Sequence, residues 1–318
     1  MAAKPGKTVV FRMNGVCNAF IREIGCHSCP QCSADKPRAQ TSGSLVVKSS
    51  WKNRRQTEYH VLFDCGIGVV DSLIDFGIST VSHIFVSHNH LDHIAGLDRL
   101  VNGQKRSGGP VPLDVYCTQG TWDEGPHRLY PWLSLNHKLV APAKTDRLSL
   151  GIDLRITPAA VYHGRFASEP VIWIVEFGSE SDNTHHKIVL GWDLLHLVPR
   201  YSSEDKDAHY AGTTVSSTVL VSPHDALFQD VDELFLAGNT ITPQDTGHMS
   251  IETALSFLIP SIQPKRTWIV HYSGHEDSFG PLSDEQLQDW LNKNKRAYGL
   301  DNHEILVAQH GMTLVYNV

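Results

Sequence analysis

The 318-residue sequence predicts an α/β fold of the α+β type, with β-sheets covered by helices. Strand-like apolar runs recur along the whole chain, helical patterns are few, and the two do not alternate strictly. That combination argues against a doubly wound parallel sheet. At 41% hydrophobic and 19% charged, the chain can bury a sizeable core, and no shift in composition or charge divides residues 1–318 into more than one domain.

Runs of apolar and β-branched residues bounded by turn formers predict strands over 8–11, 44–47, 59–64, 83–86, 113–117, 154–157 and 171–177. Further strands are expected over 187–192, 234–236, 267–270, 305–307 and 313–316. Helical periodicity appears over 69–75, over 250–259 with Thr246 or Ser250 available as cap, and over 283–295. In the last, Ser283-x-x-Gln286 fits a capping box. The polar, breaker-rich stretches 103–112 and 201–209 read as loops.

Lys and Arg total 27 against 34 Asp and Glu, a net charge of −7, so no basic footprint marks a nucleic-acid partner. No segment has the apolar length of a signal peptide or of a membrane span, and a cytoplasmic protein without a membrane partner is expected. Six cysteines fall into a tight group, Cys26, Cys29 and Cys32, and three scattered ones, Cys17, Cys65 and Cys117. A secreted disulfide framework is not written that way.

Ser87-His88-Asn89-His90-Leu91-Asp92-His93 carries the pattern HxHxDH. It follows the strand over 83–86, and Ile94-Ala95-Gly96-Leu97 after it can start a helix, so the ligands sit in a turn at a strand's C-terminal end. His88 and His90 can reach one metal while Asp92 and His93 turn toward a second, and neutral imidazoles with a carboxylate suit zinc, manganese or iron. Coincidence is the competing reading, because 19 histidines make local clusters common. Four side chains cannot fill two coordination spheres. His163, Asp193 and His271 each stand just past a buried strand, where a ligand can leave the core and face a shared cleft.

HxHxDH followed by a lone His, a lone Asp and a final His, each after a strand, resembles the metallo-β-lactamase superfamily from about residue 44 to the C-terminus. The resemblance implies a four-layer αββα sandwich with a dinuclear site at one edge of two sheets. It also implies His88, His90 and His163 on one ion, Asp92, His93 and His271 on the other, and Asp193 bridging. Asp64 matches the strand-end aspartate that members carry ahead of the motif and is given a supporting role. The flavodiiron branch has Glu where this chain has His90, so hydrolysis is favoured over a redox di-iron centre.

The thiols at 26, 29 and 32 could turn toward one ion, and structural zinc is the natural reading, with a loop of reduced cysteines or a redox pair as alternatives. With this cluster the chain is similar to the phosphodiesterase branch, that of the cyclic ribose phosphate phosphodiesterase of carbon–phosphorus lyase pathways. More loosely, it resembles the hydrolase-like protein of pyrroloquinoline quinone biosynthesis. In that branch a Gly-Cys-x-Cys-x-x-Cys segment binds zinc together with a His shortly after the last active-site His. Here the first spacing is one residue longer and the matching His275 stands four after His271, with His27 or His303 as alternative fourth ligands. Relatives also present a His before a late helix, and His248 in Gly247-His248-Met249-Ser250 corresponds to it. His248 is expected to act as an acid or phosphate contact, and Asp92 counts among the catalytic residues as well as the ligands.

The expected function is hydrolysis of a small cyclic or nucleotide-like phosphodiester by a hydroxide held between two divalent ions. A homodimer is compatible with this reading. The rivals are a transfer-RNA 3′ processing endonuclease, a lactone or thioester hydrolase, and a non-hydrolytic cofactor-biosynthesis accessory protein. Only the basic, Gly-rich 103–109 hints at the first, through its protruding arm.

Overall fold

The computed structural model describes residues 7–318 except 20–21, 23–24, 27, 31, 35–37, 52–53, 150–151, 165–166, 180–183, 198–225, 245–246, 276 and 278–279. The loop expected over 201–209, the cap Thr246 and the alternative ligand His27 lie outside the described residues.

One sheet contains β1 (Lys7–Gly15), β2 (Ser42–Trp51), β3 (Arg54–Phe63), β4 (His83–Phe85), β5 (Leu113–Cys117), β6 (Leu135–Leu139) and β15 (Thr313–Asn317). Its order is β15-β1-β2-β3-β4-β5-β6. The other contains β7 (Asp146–Ser149), β8 (Asp153–Tyr162), β9 (Val171–Ser179), β10 (Thr184–Gly191), β11 (His196–Leu197), β12 (Glu233–Ala237), β13 (Arg266–Val270) and β14 (Glu304–Val307). Here the order is β11-β8-β9-β10-β12-β13-β14, with β7 on β8. Both sheets are mixed: β3 through β6 pair in parallel, as do β10, β12, β13 and β14. Parallel strands covered on both faces read as unbroken apolar runs, and β12, Glu-Leu-Phe-Leu-Ala, is buried throughout.

Phe11, Phe63, Phe85, Trp173, Phe235 and their neighbours fill the space between the sheets. Each such ring contributes about 2 kcal/mol by leaving water. Outside the first sheet a second apolar cluster packs Leu73 of α1 (Val69–Asp75) and Ile94 of α2 (Leu91–Ile94) with Leu97, Leu100 and Val101 of α3 (Leu97–Ser107). Outside the second sheet, a third joins α6 (residues 251–262) to α7 (Asp284–Asn294). Helix α6 runs as Ile251–Thr253, a π turn Ala254–Leu258 and Ile259–Ile262. These are the four layers, helix, sheet, sheet, helix. Short helices α4 (Gln119–Glu124) and α5 (Pro126–Leu129) follow β5.

Ser250 caps α6 by accepting from the Thr253 amide, and Ser283 with Gln286 forms the capping box of α7. One expectation is corrected: residues 103–107 are not loop but the last turns of α3. Its buried side, Leu97, Leu100, Val101 and Gln104, outweighs Gly103, which faces open space.

On the outer face of the first sheet lies a buried polar chain. The Arg12 guanidinium donates to Asn14 Oδ1 and Ser72 Oγ, both at 2.8 Å. Asn14 Nδ2 donates to Ser44 Oγ at 2.8 Å, and Ser44 lies 2.8 Å from His60 Nε2. His60 Nδ1–H donates to the Thr80 carbonyl at 3.1 Å, which leaves Nε2 to accept from the serine hydroxyl. Burial pushes His60 down from 6.5 to about 4, against the pull of that carbonyl. Because the folded value is depressed, the stability from neutral His60 is fully present above about pH 6.5. It is lost as pH falls toward 4, by about 3 kcal/mol in all. Urea unfolding across that window should therefore give a flatter pH profile for His60→Gln than for the wild type. Parallel profiles would show that His60 is not the responsible group.

Candidate metal centre

The strand ends that point the same way bring the candidate ligands to one rim. Just past the ends of β3, β4, β8, β10 and β13 stand Asp64, His88, His163, Asp193 and His271. His90, Asp92 and His93 follow at α2, whose close seat on the β3–α1 loop depends on glycine. A Cβ on Gly66 would lie 1.9 Å from the Asp92 carbonyl oxygen. Asp64 and His271 have φ of 57° and 59°, left-handed values that non-glycine residues hold only when their surroundings impose them.

Ligand atoms of His88, His90, His163 and Asp193 lie within 4.8 Å of one another, as do those of Asp92, His93, Asp193 and His271. Asp193 belongs to both groups. Its Oδ2 lies 3.0 Å from His93 Nε2, 3.2 Å from His163 Nε2, 3.4 Å from His88 Nε2 and 3.6 Å from His271 Nε2. His90 presents Nδ1 instead, 3.1 Å from His163 Nε2.

The hydrogen bonds behind these rings show why a cation fits. His163 Nδ1–H donates to the Gly247 carbonyl at 3.2 Å and His93 Nδ1–H to Asp64 Oδ2 at 2.8 Å. Ser87 Oγ donates to Asp64 Oδ2 at 2.8 Å and so accepts from His88 Nδ1 at 3.0 Å. In His88 and His163, neutral and anchored through Nδ1, Nε2 carries a lone pair aimed at an Asp193 oxygen that also carries lone pairs. His88 Nε2 has no hydrogen-bond donor among the described residues. Acceptors facing acceptors in a buried pocket repel unless a positive ion stands between them.

Titration separates the rings. Burial, reinforced by the neighbouring imidazoles, holds His88 far below the usual histidine range, and burial takes His163 to about 3, so both present lone pairs. Burial alone would also depress His93, but the carboxylates of Asp92, Asp64 and Asp193 overcome it and raise the ring. Asp92 and Asp193 are held well below the ordinary carboxylate range, the surrounding imidazoles outweighing burial.

Asp64 binds three ligand-bearing segments at once. Its carboxylate accepts from the Ser87 amide at 2.7 Å, from Ser87 Oγ, from His93 Nδ1 and from Trp192 Nε1 at 2.9 Å. Ser87 precedes His88 and Trp192 precedes Asp193. The sequence reading missed Trp192; the available signal was an indole N–H at the end of a buried strand, which needs an acceptor.

His248 lies ahead of the α6 cap, partly exposed, with Nε2 3.3 Å from Asp193 Oδ1 and its ring 4.7 Å from that of His163. It stands beside both ligand groups and belongs to neither.

A third group gathers Cys26, Cys29, Cys32 and His275 within 4.8 Å. His275 Nε2 is 3.5 Å from the sulfurs of both Cys29 and Cys32. The Cys32 amide donates to Cys29 Sγ at 3.2 Å, and the Cys26 thiol is pulled down to about 6, chiefly by a hydrogen bond from the Cys29 backbone. Three soft sulfurs and one imidazole suit zinc. His275 takes the fourth place, and His303 lies outside the group. Burial pushes the thiols of Cys17, Cys65 and Cys117 upward, which leaves them inert.

Four layers around a rim of imidazoles and carboxylates define a metal-dependent hydrolase with divalent ions. Residues 59–272 match a family model described as a beta-lactamase superfamily domain, and the chain belongs to that superfamily. A ribonuclease Z of Halorubrum lacusprofundi is 38% identical over 65 residues, 20% of this chain and 21% of that protein, so the match spans about a fifth of the relative's length. A solved diphosphatase of the PhnP family superposes with TM-score 0.63 and 19% identity, covering 98% of both chains. The metallo-beta-lactamase fold protein YhfI of Bacillus subtilis gives 0.61 with 15% identity, covering 98% of this chain and 100% of its own. At such identities the superpositions establish the fold. No helix among the described residues is long and apolar enough to cross a membrane.

Proposed function

We propose that this chain is a phosphodiesterase for small cyclic or nucleotide-like phosphodiesters. In this reading His88, His90 and His163 hold one divalent ion and Asp92, His93 and His271 a second. Asp193, common to both groups, would serve both ions, and Cys26, Cys29, Cys32 and His275 would hold a structural zinc. The observation that carries it is Asp193 Oδ2, within 3.0–3.6 Å of four imidazole nitrogens that have lone pairs or carboxylate partners to share with an ion. The choice of a phosphodiester is supported by the names of the relatives, a ribonuclease and a diphosphatase.

Divalent ions held by these residues would supply Lewis acidity and lower the pKa of water at the site. The protein's part is orientation and charge. Asp64, Ser87 and the Gly247 carbonyl fix the tautomers of His93, His88 and His163. His248, beside Asp193 and partly open to solvent, would meet the leaving oxygen and give it a proton.

The ribonuclease match favours a second reading, transfer-RNA 3′ processing. Against it stand the −7 charge and the fold of residues 103–107, which end α3 instead of forming an arm. A panel of cyclic phosphates, linear diesters, lactones, thioesters and precursor transfer RNA on metal-replete protein tests the choice. Preference for precursor transfer RNA or for a lactone overturns the small-diester reading, and inactivity on every member favours the accessory protein.

His248→Ala should keep full metal content yet slow a diester with a poor alkoxide leaving group by roughly 10²-fold. A nitrophenolate diester needs less protonation and should slow far less. Equal losses would assign His248 to phosphate binding, and loss of metal would make it a ligand.

A further inference from the structure

The thiolate clip and the rim share one short turn. His271 follows β13 in a left-handed conformation, and its amide donates to the Val16 carbonyl at 2.9 Å, just where the chain leaves β1 for the cysteine loop. The amides of Ser273 and Gly274 donate to the Asn239 carbonyl at 3.3 and 3.1 Å, while Asn239 Oδ1 accepts from Asn18 Nδ2 at 2.8 Å. Gly274 turns the chain with φ 67°, where a Cβ would lie 2.3 Å from the Tyr272 hydroxyl. His275 then faces Cys29 and Cys32. The loop between β1 and β2 therefore grips the turn at both ends, by hydrogen bonds at 271 and through the cysteine cluster at 275. The first grip stands without an ion. The second brings three sulfurs and an imidazole together and needs one.

We propose that the clip is a positioning device for the catalytic centre: through the turn 271–275, His275 sets the place of His271. The ion among Cys26, Cys29, Cys32 and His275 then governs how tightly Asp92, His93, Asp193 and His271 hold theirs. The inference rests on the dinuclear reading above. It separates two ions that a purely stabilising clip would treat alike, because of the two rim groups only Asp92, His93, Asp193 and His271 includes a residue of the turn.

The test uses full-length protein loaded with cobalt, where the thiolate-to-metal absorption reports the clip and graded chelator competition reports the rim ions. In His275→Gln the thiolate band should weaken or vanish. One rim ion should leave at a chelator concentration roughly tenfold or more below that for the wild type, with the other unchanged. Loss of the clip ion with both rim ions retained at wild-type affinity overturns the proposal, as does equal weakening of both. Should the variant fail to fold, a thiol-directed mercurial on the wild type displaces the clip ion without a sequence change, and the same two outcomes apply. A wild type that binds cobalt only through thiolates overturns the dinuclear reading itself, a result distinct from the other two.

Discussion

Asp193→Ala should abolish turnover and strip most of the metal from the rim while leaving the cysteine-bound ion in place. Its Oδ2 is shared by both ligand groups, so both would lose a donor, and four imidazole nitrogens would face one another without the carboxylate between them. Crowding neutral or partly charged rings without an anion raises the cost of binding the first ion as well as the second. Elemental analysis of reconstituted wild type should give about three metals per chain, and of the variant about one, held by thiolates. A wild type with at most one metal, or a variant that keeps three, would refute the dinuclear assignment.

The second large effect is expected at a residue that is not itself proposed to bind an ion. Asp64→Ala removes one acceptor from four donors, the Ser87 amide and hydroxyl, His93 Nδ1 and Trp192 Nε1, all buried. Breaking such a buried charged network costs about 3–5 kcal/mol, and freeing the ring of a ligand weakens metal binding by about 10–100-fold. Asp64→Asn should fall between, since its oxygen still accepts while its amide confronts a donor. Chemical denaturation and chelator competition read the two effects separately. Wild-type metal affinity in both variants would reduce Asp64 to a packing residue.

The motif at 88–93 was legible because its chemistry is contiguous, and His163, Asp193 and His271 because each interrupts an apolar run at its end. The structure brings all seven to one rim. His275 was legible only by analogy with relatives, since nothing local distinguishes it from the other histidines. The Asp64–Trp192 contact joins residues 128 apart, and a tryptophan ending a strand reads simply as core. Strands with clear β-branched runs were found, whereas β6, Leu-Asn-His-Lys-Leu, is an edge strand whose polar residues mask its period. Helix α3 was legible only as a start at 94–97, with 103–112 read as loop, because Gly103 looks like a breaker when its exposure is unknown, and α4 and α5 are too short to show a period.

The rim draws on residues from 64 to 271, five strand ends in two sheets, and this has a consequence for how the chain acquires its native state. No local segment can assemble the centre, so it forms only when distant parts of the chain have closed their long loops and docked, a slow step by topology. Until then the carboxylates and imidazoles stay hydrated, and afterwards they are buried with their lone pairs opposed. Divalent ions would bind the docked chain and hardly the undocked one, shifting the equilibrium toward the native state by mass action. Refolding in chelator is accordingly expected to stall with the sheets formed but not locked together, and to finish when metal is returned.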